Sequence, residues 1–127
     1  MADEMVIFVR ASDLLLWLLP KAERLPRSFR HTAVQRLMDA ALDAHDALHE
    51  AQSEPGPARL RHLRRADAAL HRLRVYLRLA HQWQWLTSGQ YRHGSAMVAE
   101  IGRLLGGWIK ATDGRTTTTP PNVSPIE

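Results

Sequence analysis

The side chains best equipped for chemistry in this sequence are arginines. Seven of them (Arg59, Arg61, Arg64, Arg65, Arg72, Arg74 and Arg78) fall between Pro57 and His81 against Asp67 alone, a local net charge of +6. The chain holds fifteen arginines and two lysines, although lysine would serve solubility equally well. A guanidinium is a flat fork that meets phosphate or carboxylate with two parallel hydrogen bonds, so the pattern points to an anionic partner. Other constellations are weaker. His45 and His49 stand one helical turn apart beside Asp46 and Glu50, a spacing that can hold a metal. A bundle metal site would need further inward ligands from other helices, and Glu100 is nearly the only carboxylate of the last helix. Surface histidines are therefore expected, with no metal and no cofactor. Gly102 and Gly107 have the spacing of a phosphate-binding loop, but such a loop needs Lys-Ser or Lys-Thr straight after the second glycine. Trp108 and Ile109 follow instead. There is no cysteine, and Ser12, Ser28, Ser53, Ser88 and Ser95 lack the context of a nucleophile elbow. The chain is not expected to be an enzyme.

These residues must be positioned by helices. At 127 residues the chain is one domain by size, and 45% hydrophobic content suffices for a single core. Residues 14–19 form the longest apolar run, far short of a membrane span. The acidic start "MADEM" does not fit a signal peptide, and a cytoplasmic protein of pI near 10.3 is expected. Ile7, Ala11, Leu14, Leu18 and Ala22 mark a first helix over about 3–25, with Pro20 expected to kink or end it. A turn at 24–29 follows, and Ser28 is the expected N-cap of a second helix reaching Gln52. "SEPGP" breaks the chain before a third helix over 58–86, and "TSGQ" before a fourth over 90–112. Residues 1–113 are thus expected to form an all-α, antiparallel up-and-down four-helix bundle. The threonine- and proline-rich 114–127 segment is expected to be a disordered tail.

Asp39, Asp43, Asp46 and Glu50 draw an acidic stripe along the second helix, expected to pair in part with arginines of the third. Leu63, Ala66, Leu70, Leu73, Leu77 and Ala80 step by threes and fours as a bundle seam. Arg74 and Arg78 flank that seam, one turn apart, while Arg61, Arg65 and Arg72 lie on its far side. Near the end of the third helix Val75, Tyr76, Leu79, Trp83, Trp85 and Leu86 cover faces outside the seam, which suggests self-association. In the fourth helix Gly102 and Gly106 share one face. Each costs about 1 kcal/mol relative to alanine, so close packing of a helix there is expected, with Trp108 beside it.

"RLPR" (24–27), "LRVYLRLA" (73–80) and "AMVAEIGRLLGGWIK" (96–110) together resemble the accessory variability determinant (Avd) proteins of diversity-generating retroelements, relatives of the four-helix proteins encoded by ribosomal RNA intervening sequences. The resemblance covers about 14–112. It implies a basic, barrel-shaped homopentamer that binds nucleic acid and the element's reverse transcriptase and is required for mutagenic retrohoming. The family's paired arginines fall on Arg74 and Arg78, with Arg27 and Arg103 matching two more. Arg61, Arg64, Arg65 and Arg72 complete the candidate binding set, and Val75, Tyr76, Leu79, Gly102, Gly106 and Trp108 the candidate packing set. Neither residues 81–94 nor the tail match the family pattern. The alternative is a structural or interaction bundle of the intervening-sequence type without a reverse-transcriptase partner.

Overall fold

Apolar residues recurring every three or four positions bury one stripe of each helix, and these stripes define the bundle. A computed structural model describes the backbone of residues 2–118 and the side chains of residues 5–114. Four helices, α1 (Ala2–Ala22), α2 (Ala33–Ser53), α3 (Pro57–Gln82) and α4 (Ser88–Thr118), make up the fold, and no strand occurs among the described residues. Each helix packs on its neighbours in sequence, and α1 closes the ring against α4. The expected stripes are the ones buried, from Ile7 to Ala22 on α1 and from Leu63 to Ala80 on α3. Complete burial of one leucine side chain contributes about 1.5–3 kcal/mol. α2 and α3 share the most extensive interface. Its small side chains explain why: Ala40, Ala44, Ala47 and Ala51 of α2 and Ala66 and Ala69 of α3 are all buried, which lets the two helices approach closely.

The turns differ from the sequence expectation in instructive ways. Pro20 does not end α1, which continues to Ala22. Ser28 caps nothing. It lies in a short 3-10 turn (Arg27–Phe29), and α2 starts five residues later with Thr32 at its N-cap. The Thr32 hydroxyl donates backwards to the Phe29 carbonyl (3.3 Å). Between α2 and α3, Gly56 has φ 75°, a conformation that favours glycine, and Pro57 fills the first helical position where its missing N–H costs nothing.

α3 ends at Gln82, four residues before the expected Leu86. Trp85 N–H donates to Ala80 (2.9 Å) and Gln84 N–H to His81 (3.0 Å), the hydrogen-bond pair of a Schellman cap. Its left-handed position is Gln84, at φ 66°. Glycine usually occupies that position, so the sequence carried no stop signal here. The "TSGQ" break is in fact a capping box. Gln90 N–H donates to the Thr87 hydroxyl (3.0 Å) and Thr87 N–H to the Gln90 side-chain carbonyl (2.9 Å), so α4 begins at Ser88. At its other end α4 runs through Thr118, past the expected boundary at 113; residues 119–127 of the expected tail lie outside the described residues.

Candidate nucleic-acid interface

Helix geometry sorts the arginines of α3. Residues seven apart, such as Arg65 and Arg72, share a face, whereas Arg74 is turned about 200° from Arg72. The first face looks at the acidic stripe of α2: Arg65 pairs with Glu50 (2.5 Å) and Arg72 with Asp43 (3.2 Å). Two carboxylates of α2 therefore offset two of the arginines on that side. Arg59 has a structural task, since it donates to the carbonyls of Ala51 (2.7 Å) and Gln52 (3.0 Å) at the C-terminal end of α2 and lies over the Trp108 ring. Arg61 and Arg64 are exposed, with no carboxylate partner among the described residues.

The other face looks toward α4. Arg74 and Arg78 are exposed, and neither has a carboxylate within salt-bridge distance among the described residues; Asp43 is taken by Arg72, and Asp46 lies 3.4 Å from His45. Arg74 extends across Gly102. A Cβ at Gly102 would collide with a terminal nitrogen of that guanidinium, while a Cβ at Gly106 or Gly107 would meet nothing within 4 Å. This corrects the expectation of close helix packing within the subunit. Gly102 makes room for a guanidinium, and Gly106 faces open space. The glycine that does admit a close neighbour is Gly94, where a Cβ would stand 2.9 Å from the Trp17 ring.

Arg103, one residue beyond Gly102, forms a bidentate pair with Glu100 (3.1 and 2.8 Å). The hydrogen bonds from Arg103, helped by its charge and by Arg10, hold the Glu100 carboxyl below its ordinary range. Arg27 is exposed in the first turn, without a carboxylate partner among the described residues. The structure thus brings Arg74 and Gly102 together, leaves Arg78 exposed one turn along α3, and separates Arg65, Arg72 and Arg103 into ion pairs. No signal in the sequence connects Arg74 with Gly102, because they meet only through the α3–α4 packing.

The candidate packing residues also divide. Val75, Tyr76 and Leu79 are half-buried, and Leu86 is buried, so the end of α3 is not apolar surface all round. Trp108 is buried in the core, edge-on to Phe8 (6.0 Å). The large apolar residues left exposed on the helices are Met5, Val9 and Leu16 of α1. His45 and His49 lie ring to ring at 4.5 Å, with His49 against Phe8; no group of three possible metal ligands occurs among the described residues. Nor is any helix there long and apolar enough to cross a membrane.

A family model described as bAvd-like matches residues 5–112, the span that includes the arginine pair and the glycines. The chain belongs to the bAvd-like family. No curated protein matches it in sequence. Among solved structures, it is similar to a protein of unknown function from the S23 ribosomal protein family of Bacteroides thetaiotaomicron, with a TM-score of 0.79. That likeness covers 85% of this chain and 98% of the other at 15% identity, and it shows the four-helix fold alone.

Proposed function

We propose that this bAvd-like chain is a non-catalytic accessory protein of a diversity-generating retroelement, binding nucleic acid and the reverse transcriptase in support of mutagenic retrohoming. The observation that carries the reading is the Arg74–Arg78 face. α2 supplies carboxylates to the opposite side of α3 and leaves this pair uncompensated and exposed. Two exposed guanidiniums one turn apart offer forks that suit phosphates, and binding of that kind depends on backbone charge rather than base sequence. Membership of the family supports the retroelement context. Assembly into a homopentamer belongs to the same proposal. The stripe of Met5, Val9 and Leu16 along α1, uncovered within the subunit, supports it, since burying such residues between subunits removes apolar surface from water. A cyclic assembly would repeat the arginine pair around a ring and multiply its field.

The test is the Arg74→Ala, Arg78→Ala double variant, assayed for binding to RNA, DNA and the reverse transcriptase across a salt series. The fold and oligomer persist, affinity drops and the salt slope flattens. A stable double variant that binds all partners at full strength would overturn the assignment. Light scattering that returned the monomer mass of 14.4 kDa at micromolar concentration would overturn the assembly.

A further inference from the structure

We propose that one end of the bundle is a stacking platform for the unpaired bases of a single-stranded nucleic acid. Trp83, Trp85 and Phe29 supply the rings, and Arg24, Arg27 and Arg30 hold the backbone. The proposal deepens the nucleic-acid reading above and rests on it.

Two turns more than fifty residues apart in sequence meet at this end. Phe29 contacts Trp85 (centroids 5.1 Å apart, planes at 42°), and Trp85 contacts Trp83 (4.8 Å, 46°). Phe29 is 45% exposed and Trp83 46%, although both are large rings that a small bundle gains by burying. The backbone is bent to present them. The Schellman cap reverses the chain between the two tryptophans, and it does so with Gln84 rather than glycine in the left-handed region. A pocket of about 440 Å³ opens beside Trp85, lined mainly by hydrogen-bonding side chains that include His81, Gln84, Thr87 and Ser88. Thr87 is held in the α4 capping box and His81 pairs with Ser88 (3.2 Å), so the exposed Gln84 amide is the group beside the rings that is placed to meet a base edge.

The charge at this end selects a polyanion over an apolar partner. Arg24, Arg27 and Arg30 are exposed in the same turn as Phe29, and none has a carboxylate partner among the described residues. Glu23 is the one carboxylate between residues 14 and 38, and there is none between 68 and 99. The platform calls for a single strand because, apart from its two terminal pairs, a duplex covers its base faces with neighbouring bases. Unstacked bases accept aromatic rings regardless of sequence while arginines track the phosphates.

The experiment compares binding of a twelve-residue oligothymidylate, the matching oligouridylate and a blunt duplex of equal length to the full chain at low salt. Trp83→Leu keeps the apolar character of an exposed turn residue and removes its ring. It lowers single-strand affinity by about five- to a hundredfold, the range for loss of one stacked base, and leaves duplex affinity unchanged. Trp83→Phe restores most of the loss, and single strands quench the tryptophan fluorescence of the wild-type chain. Full single-strand affinity in Trp83→Leu, with loss only in the Arg74→Ala, Arg78→Ala variant, overturns the platform alone and assigns the patch to another partner such as a protein. Equal losses for single strand and duplex also overturn it. Failure of every nucleic acid to bind the wild-type chain overturns the platform and the proposed function together.

Discussion

Gly102→Ala separates the two things a helical glycine can do. On propensity alone the substitution stabilises α4 by about 1 kcal/mol, since alanine loses less backbone freedom on folding. The new Cβ collides with a terminal nitrogen of Arg74 and stays 3.7 Å from its central carbon. The obstacle is the far end of a flexible, exposed side chain, which swings aside at little cost. The net effect on stability is a gain of about 0.5–1 kcal/mol, or a rise of a few degrees in Tm. On the proposed function, nucleic-acid binding moves the other way. With Arg74 displaced, about one phosphate contact is lost, so the slope of log K against log salt falls in magnitude by about one and affinity drops several-fold. Gly106→Ala is the control: its Cβ meets nothing, so Tm rises by the same amount and binding is unchanged. Thermal melts and fluorescence-anisotropy titrations at three salt concentrations read both quantities. A Gly102→Ala protein that binds like the wild type would refute the link between the glycine and Arg74. One that loses more than about 1 kcal/mol would show that the space is needed for packing instead.

Other perturbations have equally definite outcomes. Gln84→Gly relieves the left-handed backbone at the α3 cap (φ 66°) and raises stability by up to about 1 kcal/mol, measured by denaturant melts; a loss of stability would contradict the strain. Thr87→Ala removes one half of the α4 capping box and costs about 1 kcal/mol, whereas Ser28→Ala, outside any cap, is neutral within about 0.5 kcal/mol. Arg103→Ala raises the Glu100 titration midpoint toward its ordinary value, followed by carboxyl NMR. Because the folded-state pKa is depressed, the Arg103–Glu100 pair favours folding above the unfolded-state pKa, and that contribution is lost as pH falls through the folded-state value. In Arg103→Ala this part of the acid dependence disappears.

Much of the architecture was legible because helical periodicity is a local property. The spacing of Ile7, Ala11, Leu14, Leu18 and Ala22, and of Leu63 through Ala80, marked the buried stripes correctly, since 3.6 residues per turn fixes which side chains share a face. Charge was legible too: an acidic α2 beside an arginine-rich α3 forecast the Asp43–Arg72 and Glu50–Arg65 pairs in kind. Where helices stop was less so. The α3 cap uses Gln84 in a conformation normally given to glycine, so no local propensity marked the stop. Which arginines stay uncompensated was beyond the sequence altogether. Arg72 and Arg74 are two residues apart and chemically identical, yet α2 covers one with Asp43 and leaves the other to lie across Gly102 of α4. Likewise Phe29 and Trp85 become neighbours only when the first and third turns are brought to one end of the bundle. The existence of the helices and the faces they bury could be read from the chain alone, because both follow from short-range spacing. The tertiary structure alone decided which side chains from different helices share a site, because that depends on which faces the packing turns toward one another.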